Sequence, residues 1–196
     1  MRASNKFNIR IVRNLEDMMQ ITAIRAATYI AEQQCPYEEE FDGNDLCSMH
    51  LIAARHSEPV ACLRMRFFAD FAKIERLAVI RRFRRSQVAF EIVRHGIGLC
   101  KQKGYVRIYG HAQDRLVDFW TRFGARPMQR NSTSRLTFSD FGYTEMLLET
   151  APDPRAVTLA SDPYEIIRPE GAWDQPGILE RSVGRGATSP LGGIAA

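Results

Sequence analysis

Four arginines lie within five positions of the sequence, at Arg81, Arg82, Arg84 and Arg85, between two apolar segments. Guanidinium groups bind phosphate through paired, charge-assisted hydrogen bonds, so such a cluster suits a negatively charged ligand. The preceding segment has the pattern of a strand and the following one that of a helix, whose first amides also bind phosphate. This order of residues predicts a pyrophosphate site, although a basic turn that only faces solvent would have the same sequence.

Apolar residues at helical spacing indicate the helix that follows the arginines. Val88, Ile92 and Leu99 would form its buried stripe, Ser86 could cap its start, and Gly104 signals its end. A helix in this position would direct its amino terminus toward the arginine-rich turn.

The remaining elements follow from the period of the apolar residues, which is about two in strands and about 3.6 in helices. Asn14 is placed to cap a helix that should run from Leu15 to about Gln33. The predicted strands are Phe7–Arg13, Met49–Arg55, Val60–Phe68, Lys73–Ile80, Tyr105–Gly110, a weak one after Pro127, and Gly142–Glu149, with a short helix from Asp114 or Arg115 to about Phe123. This order predicts an α/β (α+β) fold with a mixed sheet.

The chain has 196 residues, of which 45% are hydrophobic, which is enough for one domain with a substantial core. Residues 1–150 contain all the periodic segments and are predicted to form this domain. Residues 151–196 are rich in proline and glycine and carry six carboxylates against four arginines. They predict an extended carboxy-terminal tail that is either docked or partly disordered.

Composition argues against several classes of function. The net charge of +4 is small and the basic residues are concentrated in one turn, which does not suit a nucleic-acid partner. The four cysteines form no C-x-x-C pair, so no metal site is expected. The first residues lack the apolar region of a signal peptide, and no apolar run is long enough for a membrane span. We therefore expect a cytoplasmic protein.

The segment LAVIRRFRRSQVAFEIV, residues 77–93, resembles the acyl-CoA-binding motif of the GCN5-related N-acetyltransferase (GNAT) superfamily. In that motif a strand leads into an Arg/Gln-x-x-Gly-x-Gly/Ala turn, whose first position is Arg84 here and whose last is Ala89. The segment YGHAQDRLVDFWTRFGARPM, residues 109–128, looks like the second cofactor-side segment of the family. The resemblance covers roughly Phe7–Glu149.

This resemblance implies a mixed, mostly antiparallel sheet flanked by helices. It also implies direct transfer of an acetyl (acyl) group from acetyl-CoA to a small amine acceptor, without a metal. The cofactor-binding residues that it implies are Leu77, Ala78, Val79, Arg84, Arg85, Ser86, Gln87, Val88, Ala89 and Trp120.

The sequence departs from the family pattern in two ways. Gln87 stands where the middle glycine is usual, and Arg85 where another glycine is common, so side chains narrow the approach to the amides without removing them. Trp120 stands where the family often has a tyrosine that protonates the leaving thiolate. An indole N–H cannot supply that proton at neutral pH, so another group must do so.

Glu75 is the leading candidate for the base that accepts the proton of the amine, directly or through water. Strand alternation would place Glu75, Leu77 and Val79 on one face and Arg76 on the other. A backbone N–H of residues 77–79 would then bind the oxyanion. The alternative is a surface glutamate in an ion pair with a neighbouring cation.

Tyr109 and His111 are the other catalytic candidates. They lie at the end of the strand that follows the cofactor helix, where the two central strands should separate around the thioester. Either could supply the proton that Trp120 cannot, and the pKa of a histidine suits the task. Tyr143, on the last strand, is a further candidate.

An acidic loop precedes the second strand and contains Glu38, Glu39, Glu40, Asp42 and Asp45. It could attract a cationic acceptor amine, or it could simply face solvent. Its Asp-x-Asn-Asp portion lacks the distal glutamate and the remaining ligand spacing of a calcium loop, so calcium is excluded.

Two other functions remain open. Ile24–Ala53 resembles a layout found in acyl-homoserine-lactone synthases and long-chain N-acyl amino acid synthases, many of which use acyl carrier protein. The arginines would suit the acidic surface of such a carrier protein. The residues Gln87 and Trp120 would also suit a non-catalytic acyl-CoA-binding sensor. The resemblance is compatible with a homodimer, which the tail could form.

Overall fold

The computed structural model describes residues 7–129, 136–138 and 140–181. The strands in these residues are β1 (Asn8–Ile11), β2 (Met49–Arg55), β3 (Glu58–Phe67), β4 (Ala72–Val79), β5 (Arg107–Gln113), β6 (Arg126–Pro127), β7 (Leu136–Phe138) and β8 (Phe141–Glu149). They form one sheet in the order β1-β2-β3-β4-β5-β8-β6, and β7 pairs with β8. Among the strands of these described residues, only the β4–β5 pair is parallel. The predicted mixed, mostly antiparallel sheet is confirmed.

The helices are α1 (Leu15–Arg25), α2 (Tyr37–Glu40), α3 (Val88–Gln102), α4 (Val117–Thr121), α5 (Pro163–Ile166) and α6 (Ile178–Arg181). Asn14 caps α1 as predicted, because its side chain accepts a hydrogen bond from the amide of Asp17 at 2.8 Å. The predicted helix to Gln33 changes character at Ala26, where the chain continues as a π-helix to Glu32. No helix among the described residues combines the length and the apolar character that crossing a membrane requires.

The two faces of the sheet support different helices because neighbouring strand residues point in opposite directions. On one face, Leu51 and Leu63 belong to the large core that includes Val88 and Ile92 of α3. On the other face, strand residues including Ile52 pack with residues of α1 in a smaller cluster. The predicted stripe of α3 is therefore the buried one.

The predicted start of α3 needs a correction. The helix begins at Val88, with Gln87 rather than Ser86 in the capping position. Ser86 still takes part, because its hydroxyl donates to the carbonyl of Phe83 at 2.6 Å and accepts from the amide of Val88 at 3.3 Å. The residues Arg81–Phe83 form a single 3₁₀ turn that uses two of the four arginines.

The described part of the predicted tail lies against the domain. The amide of Val157 donates to the carbonyl of Gln102 at 2.8 Å, and Trp173 is buried. Gly171 has a φ of +72°, which favours glycine, and a side chain there would collide with Ile11. Residues 182–196 of the predicted tail lie outside the described residues.

A bulge in β4 changes which side chains share a face. The register pairs Cys62 with Ala78 and Arg64 with Glu75, so two residues of β4 oppose one residue of β3. Arg76, one of those two, has φ of +53°. Glu75 therefore lies on the face of the smaller cluster, whereas Leu77 packs against the large core with Val79. The predicted common face for these three residues is wrong, because regular alternation stops at the bulge.

β4 and β5 separate soon after they begin to pair. The register of this parallel pair contains only Ala72 with Ile108 and Lys73 with Tyr109. From Ile74 onward, the edge of β4 that faces β5 lies outside the ladder. The predicted separation of the two central strands is confirmed, and it opens the sheet at its middle.

A buried ion network ties the segment after α1 to β3 and β4. Arg64 on β3 has no exposed side-chain surface, and its guanidinium lies 2.5 Å from Asp42, 2.8 Å from Asp45 and 2.8 Å from Glu75. Arg25 at the end of α1 contacts Asp45 at 2.6 Å. Arg64 therefore connects three separate parts of the chain.

The charges of this network balance. Arg76 lies 3.3 Å from Glu40 and 3.2 Å from Asp42, and Lys73 lies 2.6 Å from Glu75. Arg25 also contacts Glu40. The network thus contains four cations, Arg25, Arg64, Lys73 and Arg76, and four carboxylates, Glu40, Asp42, Asp45 and Glu75.

Arg64→Met should lower the free energy of unfolding by about 3–5 kcal/mol, because it leaves carboxylates without their buried partner. Arg66→Met, two residues along the same strand and only partly buried, should change it by about 0.5 kcal/mol or less. Urea denaturation of both variants measures the difference. Equal midpoints for the two variants would contradict this role of Arg64.

The network should also make stability fall in acid. Burial alone would raise the pKa values of Asp42, Asp45 and Glu75, but hydrogen bonds and the charges of neighbouring cations lower all three. The unfolded state therefore binds protons at a higher pH than the folded state does. The free energy of unfolding should decrease as pH falls below about 4, the usual pKa of a carboxyl group. Urea denaturation between about pH 6 and 3 should show a weaker pH dependence for Arg64→Met than for the original chain.

Candidate active site

A cavity of about 390 Å³ opens where β4 and β5 separate. The predicted residues Glu75, Leu77, His111, Trp120 and Tyr143 all line it. The full lining is Tyr29, Gln33, Cys35, Glu39, Glu40, Asp42, Lys73, Ile74, Glu75, Arg76, Leu77, His111, Gln113, Arg115, Leu116, Phe119, Trp120, Phe138 and Tyr143. The tertiary structure thus brings together residues from the π-helix, the acidic loop, four strands and α4.

Glu75 is part of the ion network as well as of the cavity wall. One carboxylate oxygen accepts from the Nε of Arg64 at 2.9 Å, and the other lies 2.6 Å from the Nζ of Lys73. Burial alone would raise the pKa of Glu75, but the hydrogen bond from Lys73 and the charge of Arg64 lower it. A lowered pKa makes this carboxylate a weaker base than a solvent-exposed glutamate.

Three of the five carboxylates of the acidic loop take part in the ion network of the fold. Asp42 and Asp45 bind Arg64, and Glu40 is buried against Arg25. The prediction that the loop attracts a cationic amine loses most of its electrostatic basis, because cations inside the chain already neutralise these three carboxylates.

His111, Tyr109 and Glu145 form a hydrogen-bonded series on neighbouring strands. The Tyr109 hydroxyl contacts the Nε2 of His111 at 2.6 Å and also donates to the carboxylate of Glu145, which lies opposite His111 in the register. An ionised carboxylate can only accept, so the hydroxyl proton points to Glu145 and His111 donates through Nε2. We assign this tautomer from the hydrogen bonds, and it makes Nδ1 the basic nitrogen of His111.

Tyr29 was not among the predicted site residues. Its hydroxyl donates to the carbonyl of Leu77, the second residue of the β4 bulge, at 2.7 Å, and burial raises its pKa far above the usual range. The sequence contained a weak signal, since an aromatic residue lies on the first helix near an arginine. Only the π-helical turn and the bulge together bring this hydroxyl to β4.

The four arginines of the turn have different environments. Arg82 pairs with Glu58, while Arg84 lies 2.8 Å from Glu32 and also donates to the carbonyl of Val79 at 3.1 Å. Arg81 and Arg85 are exposed and form no ion pair with the part of the chain that the structure describes. All four arginines are exposed, so Arg81 and Arg85 are the most available for an anion because they have no ion pair within the described residues.

The start of α3 is open to a ligand on its exposed side. Gln87 is exposed and its side chain makes no capping hydrogen bond, and Ala89 is partly exposed. Val88 is buried, and its amide donates a hydrogen bond to the hydroxyl of Ser86. Of the predicted cofactor residues at the start of this helix, Gln87 and Ala89 are therefore accessible to a ligand. Val88 is buried, and Ser86 binds its amide.

Trp120 lies in an aromatic group on the other side of the opening. Its ring is edge-on to that of Phe119, with centroids 5.3 Å apart, and it lies 6.1 Å from that of Phe123. Trp120 also lines a small apolar cavity beneath α4, so its indole bridges the core and the larger cavity. Ala78 and Val79, by contrast, are buried in the two cores and do not line the larger cavity.

Gln113 and Arg115 complete the wall that β5 and the following turn provide. Neither was predicted, although both fall within the segment that resembles the family. Gln113 is 7% exposed, and its amide nitrogen donates to Gln33 and to the Tyr143 hydroxyl, both at 3.1 Å. Three elements therefore fix the position of its side chain.

No cluster of three His, Cys, Asp or Glu within residues 7–129, 136–138 and 140–181 could hold a metal ion.

Known proteins share this fold and part of this sequence. The chain is similar to the uncharacterized N-acetyltransferase YjcF of Bacillus subtilis (strain 168), with 27% identity over 116 residues, which are 59% of this chain and 83% of YjcF. Escherichia coli ElaA has a similar structure, with a TM-score of 0.64 and 21% identity over 74% of this chain and 100% of that one.

A GNAT family acetyltransferase from Elizabethkingia anophelis, solved with acetyl-CoA bound, has a TM-score of 0.53 and 14% identity over 74% of this chain and 97% of that one. At these identities the structures show a common fold. The model of the acetyltransferase (GNAT) family itself matches residues 18–125. Because that match extends over more than half of the sequence, this chain belongs to the acetyltransferase (GNAT) family.

Proposed function

We propose that this protein is an N-acetyltransferase that moves the acetyl group of acetyl-CoA directly to an amine. The observation that carries the proposal is the edge of β4 that no strand of the described residues covers, which runs from Ile74 to the arginine-rich turn beside the cavity. An extended chain with amide groups, such as the pantetheine arm of coenzyme A, can pair with such an edge. The relative that was solved with acetyl-CoA bound supports this choice of donor.

The diphosphate of the cofactor would lie at the start of α3. The exposed amides near Gln87 and Ala89 provide hydrogen-bond donors, and the helix dipole adds partial positive charge. Arg81 and Arg85 would supply the formal charge, because Arg82 and Arg84 are already paired. The proposed cofactor site thus keeps the backbone of the predicted turn and the predicted Arg85, with Arg81 in place of Arg84.

The acetyl carbonyl would lie beside Leu77, in the separated part of β4. Arg76 and Leu77 fall outside the register with β3, so an amide of this bulge is the proposed oxyanion donor. The hydroxyl of Tyr29 binds the carbonyl of Leu77, so it fixes the orientation of the peptide unit that joins Leu77 to Ala78. These contacts support a rigid oxyanion site.

His111 is our choice for the base that takes a proton from the amine. It lines the cavity, and Tyr109 and Glu145 hold its ring so that Nδ1 is the basic nitrogen. Glu75 is less suitable because two cations lower its pKa. In the reaction the C–N bond forms and the C–S bond breaks. The amine loses one proton to the imidazole, and the departing thiolate takes up one, from the imidazolium or from water.

Arg85→Ala should weaken acetyl-CoA binding by about 1–3 kcal/mol, because one charge-assisted hydrogen bond to phosphate is lost. Arg82→Ala in the same turn is the matched control and should leave the affinity nearly unchanged, because Arg82 is paired with Glu58. Calorimetric titration with acetyl-CoA measures both. Equal losses in the two variants would show that the turn acts only through its overall charge.

The same titration, repeated with acylated carrier protein, distinguishes the two possible acyl donors. Binding of acylated carrier protein, with no binding of acetyl-CoA, would replace the proposal with the carrier-dependent acyltransferase.

His111→Gln should lower kcat by about 100-fold or more, the usual contribution of a positioned general base. Glu145→Gln should lower it less, because the amide can still accept the tyrosine proton. Glu149→Gln, near the end of the same strand and exposed, is the control and should have no effect. The assay follows thiol release with a panel of amines. A larger loss of kcat in Glu75→Gln than in His111→Gln would return the role of base to Glu75.

Tight acetyl-CoA binding without thiol release for any amine would indicate a sensor instead of an enzyme.

A further inference from the structure

The side-chain carbonyl of Gln113 is buried without a hydrogen-bond partner at the wall of the cavity. Its amide nitrogen is held on two sides by Gln33 and Tyr143, which fixes the carbonyl oxygen in place. A buried acceptor that lacks a donor is unfavourable, so this oxygen is suited to meet an N–H or O–H group during function.

Arg115 lies on the same cavity wall, in the 3₁₀ turn Asp114–Leu116 that follows β5. It is exposed and has no ion pair among residues 7–129, 136–138 and 140–181. The other two lysine or arginine side chains of the lining, Lys73 and Arg76, are neutralised within the ion network. Glu39, the lining carboxylate outside that network, has an interaction of its own. Arg115 is therefore the cation of this wall that can pair with a ligand.

We propose that the acceptor is a small amino acid-like molecule, whose amine donates to the carbonyl of Gln113 and whose carboxylate pairs with Arg115. A hydrogen bond from one N–H would orient the amine and leave its lone pair free to attack the acetyl carbon. The guanidinium of Arg115 matches a carboxylate in shape and charge. This inference rests on the proposed acetyltransferase function and specifies the class of its acceptor.

The acceptor class is tested with three sets of amines of matched chain length. The amino acids are glycine, β-alanine and γ-aminobutyrate, and the matched sets are the linear monoamines and the linear diamines. The full-length chain should give a kcat/KM about 10- to 100-fold higher for the best amino acid than for its matched monoamine, as expected for one charge-assisted contact. Diamines should be the poorest substrates because Arg115 repels a second ammonium group.

Substitutions of Arg115 test the carboxylate contact. Arg115→Ala should remove the preference for amino acids over monoamines, and Arg115→Glu should reverse the order of amino acids and diamines. Arg126→Ala removes another exposed arginine, on β6, and serves as the control for net charge. If Arg115→Ala raised the KM for acetyl-CoA and left the preference for amino acids over monoamines intact, Arg115 would belong to the cofactor site. That result would overturn the proposal.

Substitutions of Gln113 test the amine contact. Gln113→Leu should raise the KM for the amino acid about tenfold or more, while the affinity for acetyl-CoA stays the same. Gln113→Glu retains an oxygen that can accept, so it should be impaired less than Gln113→Leu. An unchanged KM for the amino acid in Gln113→Leu would show that the assigned contact is wrong.

The outcomes separate this inference from the proposed function. Acetyl transfer that is faster with monoamines or diamines at every chain length would refute the amino acid acceptor while leaving the acetyltransferase intact. Binding of acetyl-CoA with transfer to monoamines only would have the same meaning. Failure to bind acetyl-CoA would refute the proposed function, and the acceptor class would fall with it.

Discussion

The fully buried guanidinium of Arg64 is the interaction on which the arrangement of this site depends. Three carboxylates converge on it, Asp42 and Asp45 from the acidic loop and Glu75 from β4. A charge without access to water must be paired, so the loop cannot move away from the sheet without exposing or abandoning that charge. The loop in turn forms one side of the cavity, so the same ion network that holds the fold also shapes the space where the acceptor would bind.

β4 serves several purposes because two irregularities interrupt it. The bulge at Arg76 places Glu75 and Arg76 in the ion network while Leu77 packs on the other face. The separation from β5 then leaves one edge of the strand, from Ile74 onward, without a neighbouring strand among the described residues. A regular strand in this position would pair with β5 along its length and close the cavity. The irregular backbone is therefore what creates a site in the middle of a well-packed sheet.

The chemistry at the cavity is divided between its two walls. The wall made by the acidic loop and β4 is held by the ion network, in which four cations match four carboxylates. The wall made by β5 and the following turn carries His111, the unpartnered carbonyl of Gln113, and the cation Arg115. Under the proposed function, the first wall would hold the site in shape and the second would bind and deprotonate the acceptor.

The sequence by itself determined the features that depend on local pattern. The strand Met49–Arg55 and the stripe of α3 followed from apolar spacing, and the motif from Leu77 to Val93 was enough to indicate the family. Local pattern could not reveal which arginines were already paired, since Glu32 and Glu58 are distant in sequence from Arg84 and Arg82. The face of Glu75, the partner of Tyr29 and the unsatisfied carbonyl of Gln113 were decided only by the tertiary structure. Each depends on where separate elements meet, and contacts between distant segments leave no period in the sequence.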